Sequence, residues 1–79
     1  MSLEIFVNQF ANQFDDTDPS EITAQTEFRK LEEWSSIMVL TIISMMDTEY
    51  GVIMSAEDLR QCQSVADVYN KLLDLESAG

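Results

Sequence analysis

The chain has 79 residues, of which 46% are hydrophobic, with 15 acidic against 4 basic side chains, a net charge of −11, one cysteine and no histidine. That length allows one small domain (1–79) with a modest core, and it leaves little room to enclose a deep catalytic cleft as well. The charge argues against a nucleic-acid backbone or an anionic membrane surface as partner, and the lack of histidine removes the commonest general base and metal ligand.

Leu3, Phe6, Val7, Phe10, Ala11 and Phe14 recur at spacings of three and four, which predicts an amphipathic first helix ended by Asp15-Asp16-Thr17-Asp18-Pro19. Asp18 before Pro19 predicts a short helical turn. From Ser20 to Glu33 no period persists, so this stretch reads as a long connection, with Phe28 and Leu31 pinning it to the core. Trp34 reads as a structural anchor for that connection.

A second helix is predicted from about Ser36 to Tyr50, stopping at Gly51. Val39, Ile42, Ile43, Met46 and Tyr50 make its expected core stripe, which leaves Met38, Leu40, Thr41 and Met45 wholly or partly outside as an apolar surface for a partner. Val52 and Ile53 are expected to pack as a short extended piece. Ser55 followed by Asp58, and Ser64 followed by Asp67, each resemble a capping box and open a short third and a longer fourth helix. The fourth helix buries Val65, Val68, Tyr69, Leu72 and Leu75. With no strand pattern and no repeat, the economical fold is an all-α four-helix bundle with a long first loop and a short third helix.

Few residues offer chemistry of their own. Asp15, Asp16 and Asp18 lack the glycine and terminal glutamate of a calcium loop, so no metal is expected. Cys62 lies between two glutamines, with no nearby base or cationic partner to lower its pKa, and reads as incidental. No signal peptide is evident, the apolar run from Ile37 to Met46 is too short to cross a bilayer, and a lone cysteine fits a reducing cytoplasm. Ser35 and Ser36 are the exception, because a serine at a helix start either caps free backbone N–H groups or carries a phosphate that those groups and the helix dipole favour.

Glu33-Trp34-Ser35-Ser36-Ile37 followed by an apolar helix and Asp47-Thr48-Glu49-Tyr50-Gly51, with Phe14 to Asp18 and Thr26 to Leu31 upstream, resembles a subgroup of discrete bacterial acyl carrier proteins that reads Glu-Trp-Asp-Ser-Leu at this point. The resemblance spans nearly the whole chain. It implies that Ser36 receives phosphopantetheine from coenzyme A and that the arm's thiol carries acyl or aminoacyl groups as thioesters. The carrier itself is then not an enzyme, since the cofactor supplies the reactive group. The implied partners are a phosphopantetheinyl transferase, a loading enzyme, and a ketosynthase or acyltransferase, met by a monomeric carrier. Ser35 stands where the subgroup has aspartate and Ile37 where it has leucine, and Met38, Thr41 and Ser44 are expected at outward positions where carriers of primary fatty-acid synthesis commonly place acids. Ser35, Ile37, Met38, Leu40, Thr41 and Met45 are therefore the expected partner contacts, in a specialised lipid or secondary-metabolite pathway. The alternative is a carrier fold that has lost modification and serves as an interaction module. A small serine hydrolase is remote without histidine.

Overall fold

The computed structural model describes residues 2–78, and among them it is all-helical: α1 Leu3–Ala11, α2 Ser36–Tyr50, α3 Ala56–Arg60 and α4 Val65–Ala78, with short 3₁₀ turns at Pro19–Glu21 and Phe28–Lys30 in the long first loop. The bundle packs α1 against α4 and α2, and α2 against α3.

Each helix start follows from a short polar residue. Ser2 accepts the Ile5 N–H at 3.2 Å, and Asp18 accepts the Ser20 N–H at 2.9 Å. The two expected capping boxes form. The Ser55 hydroxyl accepts the Asp58 N–H at 3.0 Å while Asp58 accepts the Ser55 N–H at 3.3 Å, and Ser64 and Asp67 exchange the same pair at 3.2 and 3.1 Å. These hydrogen bonds hold the Asp18, Asp58 and Asp67 carboxyls below the usual aspartate range. The next two N–H groups of α4 are satisfied from far along the chain: Val65 donates to the Thr26 carbonyl at 3.1 Å and Ala66 to the Ala24 carbonyl at 2.8 Å.

Helix α1 ends earlier than its apolar spacing predicts. After Ala11 the chain tightens into i→i+3 bonds, Gln13 N–H to Phe10 and Phe14 N–H to Ala11, so Phe14 leaves the helix yet stays buried. The following turn is held by Glu33, whose carboxylate accepts the N–H groups of Asp15 (2.8 Å) and Asp16 (3.0 Å) and the Thr17 hydroxyl (2.9 Å). One side chain thus ties both ends of the first loop. Desolvation raises the Glu33 pKa, but the donors from Asp15, Thr17 and Asp16 outweigh it and leave the carboxyl below its ordinary value.

The core is built on rings. Phe6, Phe10 and Phe28 have no exposure, and Phe28 and the half-buried Leu31 pin the loop as expected. Ring-to-ring contacts run from Tyr69 on α4 through Phe6 and Phe10 on α1 to Phe28 and Trp34 in the loop.

The expected face of α2 needs correction. Met38 and Met45 are buried with Ile42 and Met46, while Val39, Ile43 and Tyr50 are only half-buried. Apolar residues surround this helix almost completely, so its period does not fix its rotation. Packing against α1 on one side and α3 on the other selects the 38, 42, 45, 46 stripe. Leu40 remains exposed and Thr41 half-exposed, as expected. Beyond α2, Val52 and Met54 turn inward and Ile53 outward, an alternation natural to extended backbone, so Ile53 does not pack as expected. On α4, Val65, Val68 and Leu72 are fully buried, and Tyr69 and Leu75 partly so.

Gly51 ends α2 at φ 66°, ψ 25°, returning its N–H to the Asp47 carbonyl at 2.9 Å, and the Val52 N–H reaches Met46 at 3.4 Å. A Cβ built there meets nothing within 4 Å. Gly51→Ala should therefore lower stability by about 1 kcal/mol through backbone strain alone, read as a lower urea midpoint with an unchanged slope. Because the folded Glu33 carboxyl is more acidic than in the unfolded chain, its contribution is complete at neutral pH and is lost as acid protonates it. Glu33→Gln should be less stable than the parent at about pH 7, and the gap should be smaller at about pH 3, below the ordinary glutamate value. A gap of equal size at both pH values would show that the carboxylate charge is not what holds the turn.

Candidate functional site

The loop delivers its last residues to the start of α2 through Trp34, whose ring lies 4.8 Å from Phe28 and 6.3 Å from Phe14, centroid to centroid. The anchoring role expected of Trp34 holds. With the indole fixed, Ser35 follows in extended conformation (φ −155°, ψ 175°) and Ser36 is the first helical residue.

The two serines are both exposed, but their hydroxyls differ. Ser35 Oγ accepts the Met38 N–H at 3.3 Å, and the Ser35 carbonyl accepts the Val39 N–H at 3.0 Å. Ser35 is the cap. Among the described residues nothing hydrogen-bonds the Ser36 hydroxyl, which stands at the positive end of a 15-residue helix with no acid in its first turn. An anion joined to Ser36 meets a favourable field there, with no carboxylate of the same turn opposing it.

Ser36 also lies on the rim of a groove of about 410 Å³ between the loop, α2 and α3, walled by Phe28, Trp34 and Leu59. Arg29 and Arg60 line the same groove, and the Arg29 guanidinium donates to the Arg60 carbonyl, joining the loop to the last turn of α3. No spacing or motif among the residues marks this groove in advance. Its one signal was the scarcity of cations: in a chain with four basic residues, two meet here.

Beyond Ser36, α2 presents Ile37 and Leu40, 74% and 65% exposed, with half-exposed Thr41, and Leu40 also lines the groove. Ile53 adds a fourth exposed position that the sequence pattern did not indicate. Of the six residues expected to meet partners, Ser35, Ile37, Leu40 and Thr41 are at the surface, whereas Met38 and Met45 lie in the core.

Cys62 is buried, and its thiol donates to the Asp58 carbonyl at 3.5 Å. Burial, with Asp67 nearby, pushes its pKa up, opposite to what a nucleophile needs. Among the described residues no cluster of acids and cysteine is arranged to hold a metal ion, and no helix is long and apolar enough to cross a membrane.

A search of curated protein sequences finds no match to the chain. The family model of the phosphopantetheine attachment site, whose members bear that prosthetic group covalently, matches residues 7–72. That match runs from the middle of α1 to the third turn of α4 and takes in the loop, both serines and the whole of α2 and α3, so the chain belongs to the phosphopantetheine-attachment family.

Proposed function

We propose that this chain is a discrete acyl carrier, modified at Ser36 and loaded with acyl or aminoacyl groups for a specialised lipid or secondary-metabolite pathway. The observation that carries the choice of residue is the division of labour at the start of α2: Ser35 is engaged as the cap and Ser36 is exposed with its hydroxyl unengaged. The residues present fit the prosthetic group. Attachment makes a phosphodiester at the Ser36 oxygen, and its negative charge falls at the helix N-terminus, where backbone N–H groups and the dipole favour it. When bound, the group supplies a thiol on a flexible arm, which holds the cargo as a thioester.

The protein's own part is positioning and presentation. The Phe28–Trp34 contact and the Glu33 clasp fix the chain up to Ser36. The apolar groove beside Ser36 offers a dry wall to the arm or a short cargo. Carriers of this family work with phosphopantetheinyl transferases and acyl-handling enzymes. On this chain the docking surface for such enzymes, a ketosynthase or acyltransferase among them, is Ile37, Leu40 and Thr41 with Ser35 and Ile53. The buried Met38 and Met45 support that face from beneath. Ser35, in place of the subgroup's aspartate, keeps the capping role and lacks the charge beside the modified residue.

Intact-protein mass after incubation with coenzyme A and a broad-specificity transferase tests the assignment. The parent and Ser35→Ala should each gain one arm, Ser35→Ala more slowly or at lower stability, and Ser36→Ala should fold and gain none. Loading that persists in Ser36→Ala, or vanishes only in Ser35→Ala, overturns the choice of residue. If the outer face of α2 docks partners by apolar contact, Leu40→Ala should slow acyl transfer by about tenfold, the loss of roughly 1.4 kcal/mol of contact, with little change in stability. The transfer rate of the parent should respond weakly to ionic strength, whereas a steep fall with salt would assign docking to the acidic surface instead.

A further inference from the structure

Three of the chain's four basic side chains meet a carboxylate: Lys30 with Glu27 at 3.0 Å, Arg60 with Glu57 at 3.2 Å and Lys71 with Asp58 at 3.6 Å. Among the described residues Arg29 does not. Its guanidinium has the Arg60 carbonyl as hydrogen-bond acceptor and lies 5.8 Å from the centre of the Phe28 ring. In a chain with 15 acids, a cation kept clear of all of them is held by its surroundings. Phe28 supplies a ring face on one side, and the carbonyl at the end of α3 fixes the fork from another. A single carbonyl leaves most of the five guanidinium N–H donors uncommitted. Arg29 lines the same groove as Ser36.

We propose that Arg29 is an anion-pairing residue for the modified state: its remaining donors pair with the phosphodiester oxygens at Ser36. This rests on Ser36 being the modified residue. The physical case is one of balance. Modification adds a negative charge to a chain already at −11, and in this groove that charge meets the one side-chain cation that no carboxylate neutralises. A guanidinium suits a phosphodiester because its planar N–H donors match two oxygens at once. The α2 dipole would favour the same anion, so helix and arginine would act on it together. An acidic end of the cargo, brought into the groove by the arm, would be recognised by the same chemistry.

The test compares unmodified and modified protein in the parent, Arg29→Gln and Arg29→Lys. Mass spectrometry first establishes one arm on each, and its absence from Ser36→Ala; failure at that step defeats the assignment of Ser36, not the role of Arg29. Thermal midpoints are then read at low and high salt, with the ³¹P resonance of the arm. Loss of the bond to the Arg60 carbonyl lowers the midpoint of Arg29→Gln in both forms alike, so the difference between forms isolates the anion. The expected result is a change on modification more favourable in the parent than in Arg29→Gln by about 2–5 °C, shrinking with salt, with Arg29→Lys between them and the ³¹P resonance displaced in Arg29→Gln. An identical change in all three proteins, with an unmoved resonance, overturns the proposal and leaves Arg29 as a tie to α3. Loading with an acetyl or a succinyl group separates the two sources: a difference that appears only with the succinyl cargo overturns the phosphodiester as the partner of Arg29. If Arg29→Gln does not fold, the parent's salt dependence and Arg29→Lys carry the same comparison.

Discussion

The contact between Phe28 and Trp34 is the constraint on which the rest of this protein depends. A loop of 24 residues separates α1 from α2, and its own backbone makes only short i→i+3 bonds, in two single 3₁₀ turns and from Thr26 to Thr23 and Trp34 to Leu31. What packs it onto the helices, beside the Glu33 clasp and the backbone bonds to α4, is a connected set of rings that takes in all seven aromatic side chains of the chain, with Tyr50 joining at Phe6 and Phe14 bridging Phe10 to Trp34. Burying a phenylalanine is worth about 2–3 kcal/mol, a large share of what a domain this small has to spend against chain entropy. The same packing fixes the tryptophan two residues ahead of Ser36, so core packing and placement of the proposed attachment residue are one event.

The start of α2 shows how polar detail is laid over that packing. A helix of apolar composition needs a cap, and Ser35 supplies it without charge. The field of the helix end is then left for an anion at Ser36, and Arg29 stands across the groove. Elsewhere the acids are placed where they are harmless or useful: Asp58 and Asp67 in capping boxes, Asp18 ahead of a turn, Glu33 across the mouth of the loop. The surface charge that argues against nucleic acid in this way coexists with a site suited to one covalent phosphate.

Much of this was legible from residue types alone, and the failures have physical causes. The bounds of α2 follow from the Ser35-Ser36 pair and Gly51, and the starts of α3 and α4 from their serine–aspartate pairs, because caps are local and involve few residues. The rotation of α2 was not legible: with apolar residues on every side, Met38 and Met45 look as exposable as Leu40 until α1 and α3 are in place. The early end of α1 was hidden because Phe14 keeps the spacing of a helical residue while packing from a turn. Ser36 stood out through a resemblance spread over the chain. Arg29 did not, since its importance lies in which acids it avoids, a property of three-dimensional placement.

The pairing of Val65 and Ala66 N–H with the Thr26 and Ala24 carbonyls has a consequence for the order of folding. These bonds join segments about forty residues apart, so the loop ahead of Ser36 lacks two of its backbone partners until the start of α4 has been synthesised and docked. Local helices can form early, but this closure is non-local and its entropy must be met before it is rewarded. Ser36 is therefore translated well before the loop that leads to it has all its partners, and on the proposed reading that it is modified, an enzyme that reads the folded loop would find that loop complete only once α4's first turn has docked. The fold thereby separates the synthesis of this hydroxyl from the completion of the loop that leads to it.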